Sequence, residues 1–380
     1  MKLLFASDSF KGSLTSEKTT QLLQKAAEDV FGPCDTSGVP VADGGEGTVD
    51  AVVAAENGQL IYTAACGPLF EKREAYYGML DEKRAVIEMA SASGLPLVPK
   101  EKRNPLYTTT YGTGELIKDA LDRGFRNISI AIGGSATNDG GMGCAKALGV
   151  RFLDENGTPL EGTGADLEKV CSIDVSSLDP RIAETKITVM CDVTNPLTGK
   201  DGATYTFGAQ KGADPKMQKR LEAGMINYRD VIIRQFGIDP DTIPGSGAAG
   251  GLGTALLVFL HGQMRSGIET VLDLIGFDER LEGVDLVVTG EGRTDWQSCF
   301  GKVMQGVGER CKAKGIPAVG LSGSLGKDAE KIFDCGIESL ITSVDAPMEL
   351  EEALSRAEEL YYKAAVRMFR LIRVGMHISH

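Results

Sequence analysis

Five loops rich in small residues stand out in this chain, and four of them repeat one grammar, an apolar run, then small residues with a carboxylate, then a helical pattern, while the segment from Gly245 carries no carboxylate. They are Ala42-Asp43-Gly44-Gly45-Glu46-Gly47-Thr48, the segment from Gly133 to Gly141, Cys191-Asp192-Val193-Thr194-Asn195-Pro196-Leu197, the segment from Gly245 to Gly253, and Thr289-Gly290-Glu291-Gly292-Arg293-Thr294-Asp295. Apolar strands alternating with helices build a parallel sheet covered on both faces. Such sheets bind ligands at the carboxyl ends of their strands, where these loops fall. A single loop of this kind is more often a tight turn than a phosphate site. Several in one chain are harder to explain structurally.

Glycine supplies the loops: 48 of 380 residues, about twice the usual share of roughly 7%. The glycines follow no fixed period, which excludes collagen-like and linker sequences. Glycine lets a backbone approach a ligand closely and turn N–H groups towards it.

The N-terminal run Leu3-Leu4-Phe5-Ala6 reads as a strand. It leads through Ser7-Asp8-Ser9-Phe10-Lys11-Gly12 into a helix with Thr15 or Ser16 as cap. The same unit recurs near the C-terminus, with strands at Val284 to Thr289, Pro317 to Leu321 and Leu340 to Thr342 and one long amphipathic helix expected from Met348 to Leu371. Between them, Ile61 to Met89 alternates about a turn at Leu80 to Lys83, which implies antiparallel pairing. The expectation is an α/β chain. A doubly wound, mostly parallel domain would be made from residues 1–60 plus 283–380. A second domain of mixed α/β type, residues 61–282, would be inserted into it.

The formal net charge is −13, with no basic stripe of the kind nucleic acids require. An anionic ligand would therefore need local cations, and Lys11, Arg293 and Lys302 beside the strand-end loops are the candidates. Eight cysteines without a CxxC pair read as reduced thiols. The opening apolar run is too short for a signal peptide, and no stretch approaches the ~20 residues of a membrane span. A cytoplasmic protein without nucleic-acid or membrane partners is expected.

Strand-end glycines, helix N-termini and carboxylates are the parts that phosphoryl transfer uses: a phosphate cradle, Mg²⁺ ligands and a group that takes the hydroxyl proton. Asp8, Lys11 and Asp192 are the catalytic candidates. Asp43 and Asp295 are the metal candidates, with Asp8 and Glu291 as substitutes. Gly44, Gly45, Gly133, Gly134, Ser135, Thr137, Asn138, Gly250, Gly251, Glu291, Arg293 and Lys302 are the binding candidates. For Asp192 and Asn195 the alternative is a turn before Pro196, and for Lys302 a solvated helix residue. GxxxxGK[ST], HRD and DFG are absent, which excludes P-loop and protein kinases. His261 reads as a core or edge residue of an apolar helix. His377 and His380 fall at the C-terminus, so acid–base work passes to carboxylates or lysine.

As an ordered set these loops resemble the bacterial glycerate kinase family, the type without a MOFRL domain. The resemblance rests on Asp8-Ser9-Phe10-Lys11-Gly12, Pro40 to Thr48, Glu88-Met89-Ala90, Ser93-Gly94-Leu95, Thr110 to Gly114, Gly133 to Gly141, Asp192 to Leu197, Gly250 to Gly253, Gly290 to Asp295, Gln297-Ser298 and Gly301-Lys302. It implies phosphorylation of D-glycerate from ATP with Mg²⁺, 2-phosphoglycerate favoured over 3-phosphoglycerate, at a site in the interdomain cleft, and it leaves room for a homo-oligomer. The rival readings are a kinase for another small hydroxy acid and a nucleotide- or metabolite-binding regulator without turnover.

Overall fold

The computed structural model describes residues 1–378, so His380 lies outside the described residues. The described residues divide into two compact units: residues 1–43, 54–56 and 268–378 form the first, and residues 44–53 and 57–267 form the second.

The first unit is built on five parallel strands. Lys2–Phe5 pairs with Asp35–Gly38 on one side and with Leu286–Thr289 on the other, followed outward by Ala318–Ser322 and Ser339–Thr342. Counted along the chain the order is 2-1-3-4-5, a doubly wound arrangement. Alternation divides the side chains between the two faces. Leu3, Phe5, Leu286, Val288 and Leu321 share one core with the helices Ser16–Phe31 and Ala357–Ile378. On the other face Gly320 lies under the helix Val303–Lys314, where a Cβ would stand 2.6 Å from Met304 Cε. Both faces are therefore covered, which is why these strands read as unbroken apolar runs. Thr15 caps the first helix by accepting from the Lys18 N–H at 3.1 Å.

The second unit holds a six-stranded mixed sheet. Gln263–Arg265, Lys186–Met190, Asn127–Ala131 and Arg84–Glu88 run parallel, and Lys72–Met79 and Gln59–Cys66 close the edge as antiparallel strands. The expected α/β class, with one parallel and one mixed sheet, is what the chain forms.

Two local expectations need correction, for the closing helix and for His261. The closing helix is two, Leu350–Ser355 and Ala357–Ile378, and the second runs beyond Leu371. Arg356 between them leaves helical geometry (φ −106°, ψ 16°). Beside this break the Ser355 hydroxyl donates to the Glu352 carbonyl at 2.8 Å, a competition that loosens helices. In the helix Ala248–Val258 the residues Ala249, Gly250 and Gly251 have φ of 53°, 69° and 89°, so the regular helix starts only at Leu252. His261 is exposed in the loop after that helix, at φ 53°. Among the described residues no helix is long and apolar enough to cross a membrane, and all eight cysteines are free.

Candidate active site

In the first unit the strand order reverses between Lys2–Phe5 and Leu286–Thr289, the place where doubly wound sheets open a ligand crevice. The loops that leave these two strands supply Asp8 and Lys11 from one side and Glu291 and Arg293 from the other. All four line one cavity of about 480 Å³, joined by Lys302 from the start of the helix Val303–Lys314. Lys302 Nζ stands 3.1 Å from Asp43 Oδ2, which brings the acid from the loop after the second strand into the same cluster.

The electrostatics of this cluster are unusual for acids. Burial, reinforced by the Asp43 charge, pushes the Asp8 carboxyl up to about 6, against a hydrogen bond of 2.6 Å from the Ser9 N–H. Burial also raises Glu291, although the Thr294 hydroxyl donates to it at 3.1 Å and Lys302 pulls the other way. Burial works against the Lys302 charge, but Asp43, Glu291 and Asp8 outweigh it and hold the ammonium above its ordinary range. The result is a half-buried set of carboxylates tied to Lys302, a perturbed cluster of the kind that marks candidate functional sites.

Asp295 is spent differently. Its carboxylate caps the short helix Trp296–Cys299, accepting from the Gln297 N–H at 2.9 Å, and Arg293 lies 3.7 Å from it.

The candidates of the second unit separate into exposed and buried groups. Gly133 and Gly134 are exposed at the end of the strand Asn127–Ala131. Asp192 is exposed too, and its Oδ1 accepts from the Gly267 N–H at 2.9 Å. Asn195 donates through Nδ2 to the Asp201 carbonyl at 2.7 Å and so fixes its own turn. By contrast Thr137 and Asn138 are fully buried, and Asn138 donates to the Thr204 hydroxyl at 3.1 Å. Gly250 and Gly251 are close-approach glycines. A Cβ on Gly250 would lie 2.0 Å from the Thr137 carbonyl oxygen, and one on Gly251 would lie 2.7 Å from Gly140 Cα. Gly44 is alike, with Gly267 Cα 2.7 Å from where a Cβ would be, and Gly45 accepts from the Thr48 hydroxyl at 2.7 Å.

Two glycine-flanked helix N-termini in this unit are already served by carboxylates. Glu88 accepts from the N–H groups of Gly47 (2.8 Å) and Val49 (3.5 Å) and is pushed up to about 7 by burial against those bonds. Asp139 accepts from the Thr110 N–H (2.8 Å), its hydroxyl (2.7 Å) and the Gly141 N–H (3.1 Å), beneath the helix Met142–Ala147. These ends therefore have internal partners for the N–H groups that a phosphate would use.

Sequence reasoning overlooked Lys211. It is 2% exposed, and its Nζ donates to the Ser135 hydroxyl and the Thr137 carbonyl, both at 2.7 Å. Ser135 is thus part of an internal clamp that pins the exposed Gly133-Gly134 turn from below. Burial lowers this amine to about 7, with the Asp139 charge opposing. Two N–H donors suffice for the two bonds, so the neutral form fits the site. The folded pKa is depressed below the unfolded 10.5, so the group stabilises the fold increasingly as pH rises from 7 towards 10. The stability difference between wild type and Lys211→Met, measured by urea unfolding, should grow by roughly 2 kcal/mol from pH 7 to pH 9. A constant difference would show that the buried amine stays charged.

The sequence profile of the glycerate kinase family matches residues 3–373. The chain belongs to this family. It is 46% identical to a glycerate kinase of Bacillus cereus over 94% of both chains, and 44% identical to a glycerate 2-kinase of Escherichia coli over 99% of both. A solved crystal structure of a candidate glycerate kinase 2 from Salmonella typhimurium superposes with a TM-score of 0.90 at 42% identity, covering 99% of each chain. As a member of the glycerate kinase family the protein is a kinase, a phosphotransferase. Asp8, Lys11, Glu291, Arg293 and Lys302, the charged residues that line the first unit's cavity, come from segments that carried the resemblance in the sequence.

Proposed function

We propose that this kinase transfers the terminal phosphoryl group of ATP to D-glycerate, giving 2-phosphoglycerate, with Mg²⁺ as cofactor. The observation that carries the reading is the cluster of Asp8, Asp43, Glu291 and Lys302 at the switch point of a doubly wound sheet, in a chain of the glycerate kinase family. The name of the Escherichia coli relative, glycerate 2-kinase, favours the 2-position.

The donor set fits magnesium. The ion prefers hard oxygen ligands, takes one or two carboxylates, and completes its shell with water and phosphate oxygens. Asp43 and Glu291 offer such oxygens, and both the burial that raises Asp8 and the Asp43 charge that adds to it are what a bound cation would offset. When bound, the ion would neutralise charge on the transferring phosphoryl group. Lys11, Arg293 and Lys302 supply the positive charge that phosphate and carboxylate need in a chain of net charge −13. Asp8, whose carboxyl burial raises to about 6, accepts the proton of the attacking hydroxyl. Asp192, oriented by the Gly267 N–H, is assigned to the acceptor's hydroxyls.

Purified protein should release ADP only when D-glycerate and Mg²⁺ are both present, and phosphorus NMR of the product should show the 2-phosphate ester. Equal ADP release with and without D-glycerate would sink the reading. Preference for another hydroxy acid in the same assay would change the substrate and keep the reaction.

A further inference from the structure

The cavity of the first unit is too large and too apolar at one wall for a three-carbon acid alone. It measures about 480 Å³, within the size range of sites for much larger ligands, roughly 300–1,000 Å³. D-glycerate presents a carboxylate and two hydroxyls and gains nothing from hydrocarbon. Yet Leu14, Val344, Leu350 and Leu354 line this space together with Lys11 and Lys302. The short helix Leu350–Ser355 leaves Leu350 72% and Leu354 41% exposed on that wall. Exposed leucines facing a cavity with cations in its lining suit an amphipathic ligand with a flat apolar body and an anionic tail.

Resting on the reading of the protein as an ATP-dependent kinase, we infer that this cavity is the nucleotide site. The base and ribose of the phosphate donor lie against the helix Leu350–Ser355, and the phosphates reach towards Lys11 and Lys302. The first unit then carries the donor entirely. The helix Leu350–Ser355, separated from Ala357–Ile378 by the break at Arg356, is the element that shapes the base subsite.

The test compares binding of ADP and of inorganic pyrophosphate by calorimetry, in wild type and in two variants of the full chain. Leu350→Gln/Leu354→Gln makes the wall polar without adding charge, at exposed positions where folding is not at stake. Ala353→Trp fills the cavity. Wild type should bind ADP at least about tenfold more tightly than pyrophosphate, and both variants should lose about tenfold in ADP affinity with pyrophosphate affinity unchanged. The KM for D-glycerate should stay at the wild-type value. Three results would overturn the assignment: pyrophosphate binding as tightly as ADP in wild type, unchanged ADP affinity in the glutamine variant, or a KM shift confined to D-glycerate. If Ala353→Trp fails to fold, the glutamine variant decides alone. A protein that binds ADP against this wall yet does not phosphorylate D-glycerate would keep the nucleotide site and refute the acceptor.

Discussion

Asp8→Asn should remove nearly all turnover and at the same time make the fold more stable. The two effects share one cause. The carboxyl is held among other acids in a half-buried site, and burial with the Asp43 charge raises it from 3.8 to about 6. The folded protein therefore holds this proton to higher pH than the unfolded chain does. Its contribution to stability is full below the unfolded pKa and is lost as pH rises through the window to about 6. At pH 7 in magnesium-free buffer, ionised Asp8 costs roughly 2–3 kcal/mol. An asparagine keeps the acceptor for the Ser9 N–H and carries no charge, so urea unfolding at pH 7 should show a gain of that order. The gain should vanish at pH 4. The variant cannot take the hydroxyl proton, and kcat should fall about 10³-fold, within the range for loss of a general base. The wild-type rate should also decline on the acid side along a limb that the variant's residual rate lacks. Wild-type kcat in a stable Asp8→Asn protein would move the base role to another carboxylate. A variant that is less stable at pH 7 would refute the electrostatic account itself.

The parts of the site that the sequence displayed are those written in local chemistry. Apolar runs that end in Asp8 or Glu291 mark strand ends, and a strand end is fixed by the alternation of a few neighbouring residues. Thr15 announced its helix for the same reason, since a cap and the N–H it binds are three residues apart. What stayed hidden depends on distant partners. Glycine-rich loops look alike whether the backbone comes close to a ligand or to another backbone. Only the Thr137 carbonyl, 2.0 Å from where a Cβ would be, shows that Gly250 serves packing. Glu88 and Asp139 occupy helix N-termini that the glycine pattern alone presented as phosphate sites; Glu88 reaches the Gly47 N–H from 41 residues away, and Asp139 turns from its own loop onto the Gly141 N–H while also accepting from Thr110, 29 residues away. Lys211 lies in a short helical stretch with nothing to distinguish it from a solvated lysine. Its burial against Ser135 and Thr137 joins positions 76 and 74 residues apart. The break at Arg356 is equally tertiary in meaning. It separates a helix that lines the cavity from one that fills the core.

Lys302 offers the second large effect, because three acids share its charge. Its ammonium is 3.1 Å from Asp43 and also lowers the carboxyls of Asp8 and Glu291. Lys302→Met leaves a cluster of carboxylates with their nearest cation gone and keeps the hydrocarbon stem that packs at the helix start. The lost stabilisation of transferring charge should lower kcat/KM by about 10²–10³-fold. The side chain is 39% exposed, so solvent screens the pair and the loss of folding stability should stay below about 1 kcal/mol. The signature that separates this from simple damage is the direction of a pH shift. Without the cation Asp8 holds its proton more tightly, so the acid limb of the kcat/KM profile should move to higher pH than in wild type. Lys302→Arg keeps the charge, so it should leave that limb in place. It should still recover only part of the rate, because a planar guanidinium does not reproduce a compact ammonium donor. An acid limb unmoved in Lys302→Met would mean that the carboxylates and Lys302 act independently, and the cluster would then be a set of neighbours without a shared electrostatic role.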